Sequence, residues 1–108
     1  MTIGFYVKNG KDWIDKDPDA KGLYCLDLTD YLAQAASTVA SVTAVVAGVT
    51  LDGTAYTNGS LVCAWVAGGD KTDGAVNSIT FRFTLSDSNI HGGPTVDDHS
   101  IYFKIVEK

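Results

Sequence analysis

The side chains of this chain that could do chemistry are few, and most are acids. Asp12, Asp15, Asp17 and Asp19 fall within eight residues. Asp15-x-Asp17-x-Asp19 has the alternating oxygen spacing with which a calcium loop begins. An EF-hand also needs glycine at its sixth position, for the sharp turn, and a bidentate glutamate at its twelfth. Counted from Asp15, those positions hold Ala20 and Leu26. Pro18 further restricts Asp17 to extended backbone, which hinders wrapping around an ion. The segment reads as a solvated acidic passage, and neither metal nor cofactor is expected.

Other chemistries fare no better. His91 and His99 stand eight residues apart and far from either cysteine, which is poor zinc-ligand spacing. Asp97-Asp98-His99-Ser100 has the residue types of a nucleophilic relay. Neighbouring residues of a strand point to opposite faces, however, so these four cannot relay among themselves. Gly68-Gly69 and Gly92-Gly93 lack the helix and lysine that make a phosphate loop. Paired carboxylates for glycoside cleavage assemble only in space, but 108 residues leave little room for a sugar cleft. The chain is expected not to be an enzyme.

Cys25 and Cys63 each sit inside an apolar run. A disulfide-stapled secreted domain would carry more cysteines. An immunoglobulin-type bridge would have a tryptophan between its two cysteines, whereas Trp65 follows the second. Both are expected to be buried free thiols, since free cysteine is among the most buried residue types.

The bulk numbers set the frame for these residues. A chain of 108 residues is one domain. The long uncharged run ending at Leu51 is broken up by Gln34, Ser37 and several threonines, so no membrane-spanning segment is expected. The first ten residues lack the basic and apolar regions of a signal peptide. Net charge is −5, and Arg82 is the lone arginine among eight scattered cations. Nucleic-acid binding needs a basic stripe to displace counterions, so no such partner is expected.

Period-2 patterning dominates the chain. Leu23 to Leu28 is apolar on both faces and reads as a strand near the middle of the domain. Asp30 to Ala35 can form one short helical turn capped by Thr29 or Asp30. Ser37 to Val46 is rich in β-branched residues and reads as a strand, continued by Val49 to Leu51. Asp52-Gly53 and Asn58-Gly59 are the strongest turn dipeptides and predict hairpins. Ser60 to Val66 follows as a strand. Ala75 to Leu85 then alternates, with Ile79, Phe81, Phe83 and Leu85 on one side. Val96 to Val106 alternates likewise, with Ile101, Phe103 and Ile105 on one side. The pattern predicts an all-β sandwich of about seven strands with at most one helical turn.

Residues 1–15 stand apart as an N-terminal extended arm, ahead of a single domain over residues 16–108. Ile3, Phe5, Tyr6, Trp13 and Ile14 are its candidate partner-binding residues. Such an arm either packs as an extra strand of its own domain or adds a strand to a neighbour's sheet edge. Trp65, alternating with Cys63 inside a strand, is expected to pack in the core.

Several motifs, taken in order, resemble a known family. Lys16-Asp17-Pro18-Asp19-Ala20, then Leu23-Tyr24, Leu26-Asp27 and Leu32, are similar to the opening of small structural proteins of tailed bacteriophages. Gly68-Gly69 with Val76 to Thr84, and Asp97 to Ile101 with Ile105, resemble that family's later motifs; His99 stands where its pattern has arginine. The family is the phage fibre–tail adaptors. The resemblance implies an immunoglobulin-like fold and a virion tail component that attaches fibres to the tail. The implied partners are the tail hub or tube, the tail fibre and further copies of itself in a symmetric ring. It also implies assembly in a reducing bacterial cytoplasm, where thiols stay free. A capsid decoration or head–tail joining protein, or a carbohydrate-binding module with exposed aromatic platforms, are the alternative expectations.

Overall fold

The computed structural model describes residues 6–8, 11–86 and 95–106. Eight strands and one helix follow in the order β1 (Tyr6–Lys8), β2 (Lys11–Lys16), β3 (Gly22–Asp27), α1 (Thr29–Ala35), β4 (Val39–Ala47), β5 (Thr50–Asn58), β6 (Leu61–Ala67), β7 (Ser78–Leu85) and β8 (Val96–Ile105). They form a five-stranded sheet, β1-β2-β8-β7-β4, and a three-stranded sheet, β3-β6-β5. The expected all-β sandwich is what forms. Neighbours are antiparallel except β2 and β8, which run parallel with Ile14 beside Phe103.

Alternation explains the core. Ile79, Phe81, Phe83 and Leu85 of β7 and Ile101 and Phe103 of β8 meet Val62, Ala64 and Val66 of β6 between the sheets. Tyr24 of β3 meets the Phe103 ring edge-on, with centroids 5.0 Å apart. The helix covers one end, where Leu28 and Leu32 are buried and Tyr31 packs edge-on against Phe83. Neither Thr29 nor Asp30 caps it. Instead the Asp27 carboxylate accepts both the Thr29 backbone N–H and the Thr29 hydroxyl, and these bonds hold its pKa below the ordinary aspartate value.

Three expectations are corrected by the fold. Asp52-Gly53 is not a hairpin turn: it lies inside β5, where the register against β6 shifts between Asp52 and Tyr56. The turn from β4 to β5 is at Gly48, whose φ of +72° suits glycine and where a Cβ would run into the Val76 carbonyl. Leu23 to Leu28 is an edge strand of its sheet rather than a middle one. Cys25 and Cys63 are not free thiols. They are cross-strand partners of β3 and β6 and form a disulfide, with Cα atoms 4.1 Å apart. The bond closes a loop of 38 residues, which in the chain-entropy account stabilises by about 4 kcal/mol.

The acidic passage turns out to be a corner between sheets. β2 ends in one sheet and β3 begins in the other. The chain reverses through a turn closed by the Ala20 N–H on the Asp17 carbonyl at 3.1 Å, with the Asp17 side chain accepting the Asp19 N–H at 2.9 Å. Lys16, in phase with Ile14, points inward and is 1% exposed. Its ammonium donates to the carbonyls of Asp17 (3.1 Å), Ala20 (2.6 Å) and Gly68 (2.6 Å). Three N–H donors meet three acceptors, so the charge is fully satisfied. Burial lowers the Lys16 pKa from 10.5, and the Asp17 carboxylate pushes it back up. The cation in this acid-rich loop is thus the chain's own lysine. Gly69 completes the corner by close approach: a Cβ there would stand 2.7 Å from Ile105 Cδ1 and 3.4 Å from Pro18 Cα.

Asn77 fixes the next loop in the same manner. It is buried, its Oδ1 accepts the Asp70 N–H at 2.7 Å, and its Nδ2 donates to the Asp70 carbonyl at 3.0 Å.

Replacing Lys16 by methionine keeps the volume but leaves three carbonyls without their donor. Chemical denaturation should show a loss of roughly 3 kcal/mol, whereas Lys21→Met, which removes an exposed pair with Asp52 and an exposed contact over the Trp65 ring, should cost about 1 kcal/mol or less. Equal losses would contradict the corner's role. Acid should also destabilise the domain. Hydrogen bonds from Thr29, Thr72 and Arg82 hold Asp27, Asp70 and Asp98 below the ordinary value of 3.8. The unfolded chain therefore takes up protons first, and this stability, complete above 3.8, is lost as pH falls through the lower folded values. Melting temperature should be flat near neutrality and fall below about pH 4, less steeply in Asp98→Asn.

Candidate partner-binding surfaces

The groups that could do chemistry are dispersed by the fold. Asp97 accepts the Tyr31 hydroxyl at 3.0 Å, and Asp98 pairs with Arg82 through two bonds of 2.7 and 3.0 Å. His99 meets Asp12 at 2.8 Å, and Ser100 meets Thr80 at 2.7 Å. These four consecutive side chains are thus each bonded to a side chain of another element. His91 lies outside the described residues. Among the described residues no cluster of three His, Cys, Asp or Glu side chains could hold a metal ion. No helix among them is long and apolar enough to cross a membrane.

What the fold does present is aromatic surface on two opposite outer faces. On the five-stranded sheet, Trp13 of β2 and Tyr102 of β8 are register neighbours on the outward side, with ring centroids 5.3 Å apart. The loop Asp70–Ala75 rises beside them. Together with Lys104 it walls a cleft of about 430 Å³ with Trp13 at its edge. The cleft is of mixed charge: Asp70 and Asp73 face it along with Lys71 and Lys104.

The candidate arm residues separate here. Ile14 points into the core and is buried, while Trp13, one position earlier, faces outward. Tyr6 is opposite Trp13 in the β1–β2 pairing, and Ile3 and Phe5 lie outside the described residues. Tyr6–Lys8 and Lys11–Lys16 both pair within the five-stranded sheet of their own chain.

The second face was missed by sequence reasoning. On the outer side of the three-stranded sheet, Leu23 stands opposite Trp65, Trp65 opposite Asp52, and Cys63 between Cys25 and Tyr56. Trp65 is not in the core: it is 42% exposed, with Leu23 and Tyr56 also exposed beside it. The inward phase of β6 belongs to Val62, Ala64 and Val66, so Trp65 faces out with Cys63. The signal was present in Leu61 to Val66. Alternation places Trp65 out of phase with three aliphatic residues, and only tryptophan's usual burial argued otherwise. Lys21, paired with Asp52 at 2.9 Å, also lies 5.9 Å over the Trp65 ring and marks one rim of the patch.

A family model described as "Podophage GP4 fiber-tail adaptor protein gp77" matches residues 16–101. No curated protein and no solved structure matches the chain. The matched segment starts at the Lys16 corner and ends in β8, so it takes in strands of both sheets and the Trp65 face, while Trp13 and Tyr102 flank it on either side. The chain belongs to the podophage fibre–tail adaptor family and is a structural component of the phage tail.

Proposed function

We propose that the chain joins a tail fibre to the tail through two opposite surfaces, without chemistry of its own. The observation that supports this reading is the placement of Trp13 with Tyr102 on one outer face and Trp65 with Leu23 and Tyr56 on the other. An adaptor must hold two partners at once, and partly exposed tryptophan and tyrosine are the residues that most often dominate such contacts.

The first 15 residues seat the adaptor on the tail hub or tube, with β1 offered as the edge strand of the five-stranded sheet. Extended backbone can add a strand to a neighbouring sheet edge, with Ile3, Phe5, Tyr6 and Trp13 filling pockets. Ile14, buried in the core, anchors the arm and fixes the direction of Trp13. The Trp65 face receives the fibre. Copies repeat around the tail as a symmetric ring, and the particle is assembled in the bacterial host cytoplasm. Neither nucleic acid nor membrane is a partner, in keeping with the acidic charge of −5.

Two variants separate the surfaces. Deleting residues 2–10 leaves β2 and Ile14 in place, so the domain should fold but no longer join particles. Trp65→Ala should leave the adaptor in particles and weaken fibre binding roughly thirtyfold, the equivalent of about 2 kcal/mol. Fibre capture by purified particles and an immunoblot of the adaptor read the two outcomes. If Trp65→Ala particles keep their full fibre complement, the assignment of that face is wrong. Electron cryo-microscopy density for the chain on the capsid shell would overturn the tail reading altogether.

A further inference from the structure

We propose that Cys25 and Cys63 are an oxidative modification site: two thiols while the adaptor is assembled, and a disulfide lock once the particle has left the cell. The timing rests on the reading that assembly takes place in a reducing cytoplasm; the lock itself rests on the fold.

The two residues are direct cross-strand partners, Cys25 on the edge strand β3 and Cys63 on the middle strand β6. Their pairing needs no rearrangement of the sheet, because the β ladder itself sets the two side chains side by side on the same face. Reduced and oxidised forms can therefore share one fold. Both residues are buried although they stand on the outward side, as small side chains ringed by Leu23, Tyr56 and Trp65 at neighbouring positions of that face. Burial disfavours the thiolate, the reactive species in exchange. Small oxidants and reductants then act only when the edge strand opens locally, and edge strands open more readily than middle ones.

Closure joins the two sulfurs and releases two protons and two electrons. Dioxygen, reduced to hydrogen peroxide, or a low-molecular-weight disulfide, reduced to two thiols, takes the electrons. Once formed, the bond ties β3 to β6 directly beneath the face that carries Leu23 and Trp65. Opening of the edge strand is then limited, which also protects the bond from reduction. The consequence is mechanical: the proposed fibre-bearing face becomes rigid after release, when the particle must withstand an extracellular medium.

Trapping thiols with an alkylating reagent, in infected cells before lysis and in released particles, tests the timing by mass spectrometry. Both cysteines should be alkylated in cells and unmodified, as a disulfide, in particles. The same state in both, reduced or oxidised, would overturn the timing. The purified full chain tests the lock. Reductant should lower its melting temperature by at least about 10 °C and speed amide exchange in Gly22–Asp27 by about tenfold or more. The Cys25→Ser/Cys63→Ser variant should match the reduced chain and ignore reductant. An unchanged melting temperature and unchanged exchange in the wild type would overturn the lock. A chain missing from purified tails would instead sink the adaptor reading and the timing with it, while the melting shift still decides on the lock.

Discussion

The ammonium of Lys16 is the contact on which the geometry of both sheets depends. A charge taken out of water costs several kcal/mol unless its donors are all matched, and here three backbone carbonyls accept three N–H groups. Two of those carbonyls belong to the corner that leaves the five-stranded sheet, and the third, of Gly68, directly follows β6 of the other sheet. One side chain therefore fixes the distance between the layers at that end. Phe103, Tyr24 and Ile105 pack between the layers close by. The position also admits neither arginine, whose planar fork would not reach three converging carbonyls, nor an apolar residue, which would leave them bare.

From this corner the two outer faces follow. Because side chains alternate, fixing Lys16 and Ile14 inward fixes Trp13 outward, beside Tyr102. On the far layer, fixing Val62, Ala64 and Val66 inward fixes Cys63 and Trp65 outward. The sandwich is thin enough that each strand from β2 to β8 contributes to the core on one side and to a surface on the other. Polar residues between the aromatic sites are paired across strands, Arg82 with Asp98 and Thr80 with Ser100. The Arg82–Asp98 pair is exposed and individually weak, and the Thr80–Ser100 bond is half-buried. They place polar pairs on the outer face of the five-stranded sheet between the Trp13 end and the exposed Val45 of β4.

Strands β7 and β8 were legible because their alternation is strong and one face is fully buried. The helix was legible in position, but not its cap, since Asp27 acts from outside the helix through a hydroxyl and an amide that only the folded turn brings within reach. Gly53 shows where turn dipeptides mislead: a residue tolerant of positive φ serves a register shift within a strand as well as a hairpin. The disulfide was illegible for a different reason. Cysteine number and compartment argue from populations of proteins, whereas pairing depends on the register of β3 against β6. A shift of one residue would have sent the two thiols to opposite faces. Of the candidate surfaces, Trp13 could be singled out as an aromatic in an outlying segment. Trp65 was lost because its burial was inferred from residue type rather than phase.

The sequence by itself determined the strand pattern, the single small core, the acidic charge and the absence of a recognisable catalytic motif, because each depends on local order or on composition. The tertiary structure alone decided that Lys16 fills the loop that Asp15, Asp17 and Asp19 had made look like an ion site. It also decided that Cys25 meets Cys63, and that two tryptophans 52 positions apart in the chain face away from each other. These are relations between residues distant in sequence. They are set by strand register and by which sheet each strand joins, and local patterning carries neither.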